Sequence, residues 1–371
     1  MVKIAKTALS EDKTVFLLKK CLTFNKISVI ITIIKIKKEN VILNDTAKIR
    51  KQNKCLIMKV MRSGGKYTKQ QLALETGLSV ATCNTLLNTL AEEKRVIGYK
   101  QQINDVGRNT VVYHINDDFE SILCICFELL GGIRKIFTKV ISPSGKLIFE
   151  NEEIVDYISC EKLIDTIKYA IKKYQNISYI VTGNPGMVEN GIISHCDVPE
   201  LNRVNIVEKL KECFNLPVSI ENDMYFKAYG YYRYNKSNEK IITMMNFHSN
   251  VLPGTATIYK GTVIKGKNGF AGMVGFIPYG MTSQQYLEKL NYDECIPLIS
   301  QATASIIAVI NPDEMVFTGN LLTSERIREI YSSCLESIPE EYMPEFSYLE
   351  DFEKCYTMGM YNIVIDKQEV F

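Results

Sequence analysis

The chain has 371 residues, 46% of them hydrophobic and 23% charged, with a formal net charge of +2. That length suits two or three folded units, and the near-neutral balance excludes a globally basic nucleic-acid binder, leaving only local charge to point that way. Eleven scattered cysteines with no Cys-x-x-Cys pair, and only three histidines (His114, His195, His248), argue against a disulfide framework and against a zinc site, so a reducing cytoplasmic setting is expected.

Residues 1–47 are rich in Lys, Ile and Asn without an amphipathic period, and they are left as an unassigned extension. A start codon placed too early would produce such a segment. Its apolar run, Ile27 to Ile36, is broken by Thr32 and Lys35 and is too short to span a bilayer, so no membrane partner is expected. From Thr46 to Leu74 every charged residue is basic: Lys48, Arg50, Lys51, Lys54, Lys59, Arg62, Lys66 and Lys69.

Residues 48–117 carry the pattern of a winged helix-turn-helix. Leu56, Ile57, Val60 and Met61 share one face of a first helix that stops at Ser63, Gly64 and Gly65. Thr68 and Gln71 have capping-box spacing for a second helix, with Leu72 and Ala73 facing inward. Gly77 suits the tight turn after it, and Ser79 the cap of a third helix.

In that third helix Cys83, Leu86, Leu87 and Leu90 repeat at i, i+3, i+4 and i+7 and face the core. Its other face carries Ala81, Thr85 and Asn88, flanked by Thr82 and Asn84, which are small or amide groups able to meet base edges in a major groove. Arg95 to Tyr99 and Thr110 to Ile115 read as two strands around a polar loop ending in Gly107 and Arg108, the expected wing. The candidate DNA contacts are therefore Lys66, Thr68, Lys69, Ser79, Ala81, Thr82, Asn84, Thr85, Asn88, Lys100 and Arg108, with double-stranded DNA as partner. The absence of Lys and Arg between Ser79 and Ala91 keeps a protein-binding winged helix open as an alternative.

Beyond residue 118 the chain alternates β-rich and helical runs, the pattern of an α/β domain. The stretch Leu72 to Thr82 resembles the amino-terminal domain of ROK-family repressors (repressor, open reading frame, kinase). Residues 118–371 continue that resemblance. Ser121 to Phe149 is similar to the family's opening hairpin, Val181 to Val188 to its sugar loop, and Glu221-Asn222-Asp223 to its catalytic triplet. Gly269 to Gly272 and Ile310 to Val316 are similar to two later motifs. The resemblance implies a two-lobed, actin-like (ribonuclease H-like) sugar-kinase fold behind the winged head. Active members of the family phosphorylate a sugar with ATP and magnesium.

Much of that chemistry is replaced. Aligned on its glycines, the phosphate hairpin Asp-x-Gly-Gly-Thr becomes Leu129-Leu130-Gly131-Gly132-Ile133, and strand alternation is expected to turn Glu128 away from the cleft. The second glycine-rich phosphate loop becomes Asn250 to Ala256, in which Pro253 removes an amide donor, and the nucleotide's Gly-Gly pair becomes Gly319-Asn320. Met273 and Phe276 replace the family's hydroxyl-binding Glu and His. The zinc cysteines are absent, and Gly280 to Ser305 is shortened. No cofactor and no metal are therefore expected.

Asp223, the family's general base, either holds a ligand hydroxyl or caps the helix beginning at Met224. By resemblance, Asn184, Gly186, Asn222 and Asp223 are the candidate ligand residues. The aromatics Tyr225, Phe226, Tyr229, Tyr231 and Tyr232 fit helical core and interface better than a ligand box. The expected function is a regulator, a repressor by family default, of carbohydrate-related genes. It would be a homodimer or dimer of dimers whose kinase-like body serves for dimerisation and sensing of a sugar or other small effector. The alternative is an ATP-dependent sugar kinase with a DNA-binding head.

Overall fold

The structure, a computed structural model, describes residues 46–101, 110–235 and 239–367. The first of three amino-terminal helices, α1, covers residues 46–61. Strand β1 (Tyr67–Thr68) leads into α2 (Lys69–Thr76), then α3 (Val80–Glu92), β2 (Val96–Gln101) and β3 (Thr110–Ile115). The helix boundaries follow from local hydrogen bonding. Thr68 and Gln71 satisfy each other's free backbone amides, Gly77 ends α2 in the left-handed conformation at φ 71°, and the Ser79 side chain accepts from the Thr82 amide. Ile57, Met58, Met61, Leu72, Cys83, Leu86, Leu87 and Leu90 close over one core with Val96, Tyr113 and Ile115.

The body holds two five-stranded sheets. The first has the order β10-β7-β4-β5-β6, from β4 (Ser121–Leu130), β5 (Ile133–Ile141), β6 (Leu147–Val155), β7 (Ile177–Asn184) and β10 (Val218–Asn222). Between β6 and β10 lie α4 (Cys160–Lys173), the short hairpin β8 (Met187–Glu189) with β9 (Ile192–Ser194), and α5 (Ile206–Phe214). Helix α6 (Asp223–Tyr234) then leads to the second sheet.

That sheet has the order β13-β12-β11-β14-β15, from β11 (Ile241–Asn246), β12 (Gly254–Tyr259), β13 (Thr262–Val263), β14 (Glu314–Thr318) and β15 (Glu345–Tyr348). Helices α7 (Ser283–Lys289), α8 (Cys295–Ile310), α9 (Ser324–Cys334) and α10 (Glu353–Lys367) complete the described body.

Strand alternation assigns each sheet two faces. Leu123, Ile125 and Phe127 pack outward with Leu163 and Ile167 of α4 and Leu210 of α5. Ile122, Cys124 and Cys126 pack inward with Phe226 and Tyr229 of α6 and Met360 of α10, against which Met244, Ala256, Ile258 and Val316 of the second sheet also close. Met245, Phe247, Met315 and Phe317 face α8 and α9. Helices α6 and α10 are thus the filling between the sheets. They cross with backbones in contact, because a Cβ on Gly230 would overlap the Cys355 carbonyl and one on Gly359 the Phe226 carbonyl. No helix among the described residues is long and apolar enough to cross a membrane.

Candidate ligand cleft and nucleic-acid interface

Parallel pairing of β7 with β10 sets Asn184 beside Asn222, so both strands end at one place and deliver the Gly186 loop and Asp223 to the mouth of the same cleft. The cleft has a volume of about 290 Å³. Asn184 is fully buried behind its wall, where its side-chain oxygen accepts from the Gly186 amide at 2.8 Å and its amide donates to the Glu221 carbonyl at 3.0 Å. It shapes the loop, and Gly186 lines the cleft. A Cβ on Gly186 would come within 2.9 Å of the Cys196 Cα, so the loop lies there only as glycine.

The helix cap is Asn222 and not Asp223. Asn222 accepts from the Met224 amide at 2.9 Å and donates to the Gly186 carbonyl at 2.9 Å, while Asp223 is the first residue of α6. The capping reading of Asp223 is therefore overturned. One turn later Lys227 places its ammonium 2.6 Å from Asp223 Oδ2, with the two side chains 5% and 17% exposed. The Lys227 ammonium also lies 4.3 Å from the Phe352 ring centroid and 5.2 Å from that of Tyr356.

Asp197 faces the same cleft, its carboxyl pushed up to about 6 by burial and then by the charge of Asp223. His248 is pushed down to about 4 by burial and then by Lys227, so it is a neutral imidazole whose Nδ1 accepts from the Asn320 amide at 3.3 Å. Apolar lining is formed by Val251, Leu252, Pro253, Met273 and Phe276. Asn246 adds a buried side-chain oxygen without a partner. The cleft thus offers both carboxylates and hydrocarbon.

Phosphate and divalent metal do not fit these residues. Gly131 and Gly132 make a two-residue turn with φ of 58° and 81°, but Leu129 packs into the outer core of its sheet and brings no polar group to a nucleotide. Glu128 does not line the cleft: it lies on the face of β4 opposite Leu129, in a separate pocket with Phe137, Lys139, Phe352 and Tyr356, where burial raises its carboxyl within the fields of Lys227 and Asp223. Where Asp223 would draw a metal there is already a cation, the Lys227 ammonium, which belongs to the chain. Leu252 and Pro253 lie where a phosphate loop would present amides.

On the head, Lys66, Ser79, Ala81, Thr85, Asn88 and Lys100 are exposed. Thr68 is 7% exposed and its hydroxyl serves the cap, so it sits apart from this group. Thr82 and Asn84 are half-buried at the edge of the face, and the Lys69 ammonium is hydrogen-bonded to Asn84 Oδ1, tying α2 to α3. Arg108 lies outside the described residues, whereas the ribbon that leads to it pairs as far as Gln101 with Thr110.

Residues 131–295, which contain the glycine turn, the Gly186 loop, Asp223 and the apolar wall, match the family model described as the ROK family. By that match this part of the body is similar to the ROK family.

Among curated proteins it is similar to the xylose repressor of Bacillus spizizenii, 24% identical over 62% of this chain. The xylose repressor of Bacillus subtilis gives the same identity and coverage. The chain spans 61% of the length of these two relatives. Among solved structures its fold is similar to a ROK family transcriptional regulator described as a homologue of the Escherichia coli MLC protein. The TM-score is 0.67 at 16% identity, over 86% of this chain and 97% of that one. A candidate N-acetylmannosamine kinase from Listeria monocytogenes, Lmo2764, gives a TM-score of 0.56 at 14% identity, over 67% of this chain and 99% of that one.

Sequence reasoning missed Lys227, Asp197 and Asn246, and it named Val251–Pro253 as a lost phosphate loop without seeing it as cleft wall. Only Lys227 had a local signal, its i,i+4 spacing from Asp223.

Proposed function

We propose that the chain is a DNA-binding regulator of carbohydrate-related genes, a repressor, whose head is a winged helix-turn-helix. Its ROK body serves for dimerisation and ligand sensing without phosphoryl transfer. In this reading the head spans residues 48–117 and the body 118–371, and the protein works in the cytoplasm as a homodimer or dimer of dimers.

The observation that carries the reading is the exposed face of α3. Ala81, Thr85 and Asn88 stand clear of the core and are exposed, as are the cations Lys66 and Lys100. Small and amide groups read base edges, and flanking lysines neutralise phosphate. The larger share of this chain covered by the regulator fold, 86% against 67% for the kinase, supports assigning residues ahead of the body to a regulator's head. Two heads related by a dimer axis reach half-sites about 34–36 Å apart.

The cleft supports sensing. Its carboxylates suit ligand hydroxyls, and its hydrocarbon suits a ligand less polar than the hexoses that a Glu–His pair would grip. An inducer acts only by binding the DNA-releasing conformation more tightly than the DNA-bound one.

Gel shifts against the upstream DNA of the protein's own gene test the reading. Salt-sensitive, sequence-selective binding is expected, and absent or salt-independent binding with every sugar tried overturns it. A second reading, an ATP-dependent sugar kinase with a DNA-binding head, is favoured by Asp223, which lines the cleft at the position resembling the family's general base. Sugar-dependent ADP release that disappears in Asp223→Ala would establish it.

A further inference from the structure

A second cavity, of about 730 Å³, opens between α1 of the head and α6 and α10 of the body, closed at one end by the Ser144–Gly145 turn. Its volume is within the range of small-molecule sites. Leu56, Met58, Met358, Tyr361 and Ile365 supply apolar lining, and Leu56 is 43% exposed on the helix that forms the head's side.

The charged lining is three cations, Lys59, Arg62 and Arg233, against one carboxylate, Asp366. That carboxylate is already engaged: Arg233 lies 3.2 Å from it, and the Tyr229 hydroxyl donates to it at 2.5 Å. Arg62 is engaged too, with Tyr361 of the same lining, and Lys59 is the exposed cation of the three. Positive charge therefore exceeds negative around an apolar lining, and lysine, arginine and hydrocarbon reach it from both domains.

We propose that this interdomain cavity binds a small organic anion with an apolar body, a phosphate or carboxylate carried on an aromatic or branched aliphatic group, which bridges head and body. The cations of α1 and α6 hold the anion, and Leu56, Met358 and Ile365 cover the rest. Binding itself does not depend on the head's reading DNA. The effect of the ligand on DNA binding does rest on that reading, because a bound anion would set the angle at which the head is presented.

The test is a fluorescence titration of the full chain with 8-anilinonaphthalene-1-sulfonate in the absence of DNA, so its result is independent of the gel shifts. One saturable site per chain is expected, displaced by 4-nitrophenyl phosphate and not by the neutral ether 4-nitroanisole. Lys59→Glu, at an exposed position, and Arg233→Glu should each weaken the dye by about fivefold or more, as expected for a reversed charge near a partly desolvated anion. Phe276→Ala, in the other cleft, should leave the affinity unchanged. Equal affinity in the wild type and Lys59→Glu, displacement by 4-nitroanisole, or loss of the site in Phe276→Ala would overturn the proposal.

Discussion

Lys227 reaches back one turn of its helix to Asp223, ammonium to carboxylate at 2.6 Å, beneath the rings of Phe352 and Tyr356. Removing one partner of a largely buried pair strands the other, so Lys227→Met is expected to cost about 3 kcal/mol in a urea melt. The double variant Asp223→Asn with Lys227→Met should recover more than half of that loss. Neither protein should release ADP in the presence of sugars, because the hydrocarbon at Leu129, Leu252 and Pro253 remains.

The head separates base reading from charge. Asn88→Ala and Thr85→Ala should flatten the preference among operator variants, with about 1–3 kcal/mol of discrimination at stake for each good base contact. Lys66→Ala and Lys100→Ala should weaken every sequence alike and reduce the salt slope by about one each. Competition gel shifts at two salt concentrations distinguish the pairs. Equal behaviour of all four variants would refute the assignment of roles.

His248 sets an acid limit. It is neutral in the fold, held down to about 4, while in the unfolded chain it protonates near 6.5. The unfolded state therefore takes up the proton first as pH falls, so the stability tied to this group is complete above about 6.5 and drains away toward 4. His248→Gln keeps an acceptor for the Asn320 amide and removes the titration. Between urea melts at pH 7.5 and pH 4.5 the variant should lose up to about 3 kcal/mol less than the wild type.

The crossing of α6 and α10 leaves no room for a methyl group. Gly230→Ala and Gly359→Ala should each lower stability by more than about 3 kcal/mol, since backbone must move on both helices. Gly131→Ala meets no neighbour and bears only the strain of a positive φ, so about 1 kcal/mol is expected. Thermal melts of the three variants check the order.

How much was legible in the sequence depended on the range of the interactions. The Thr68–Gln71 box, the Gly77 turn, the Ser79 cap and the Cys83 to Leu90 stripe are settled within a turn or two of chain, and the structure places them as spelled. Alternation set Glu128 on the face opposite Leu129, but the pocket it enters there is built with Phe352 and Tyr356, which no local pattern near β4 announces. Asp197 is an unremarked acid in a loop until the fold buries it beside Asp223. Asn184 matched a ligand motif, but its hydrogen bonds are spent on Gly186 and Glu221.

Helix α6 runs from Asp223, at the cleft, to Tyr234, just past Arg233 at the second cavity, twelve residues and about 18 Å of rod. Its crossing with α10 at Gly230 and Gly359 leaves about 6 Å of that rod on the side of the head and about 10 Å on the side of the cleft, so a tilt of about 10° about the crossing would move the two ends by about 1 Å and about 2 Å.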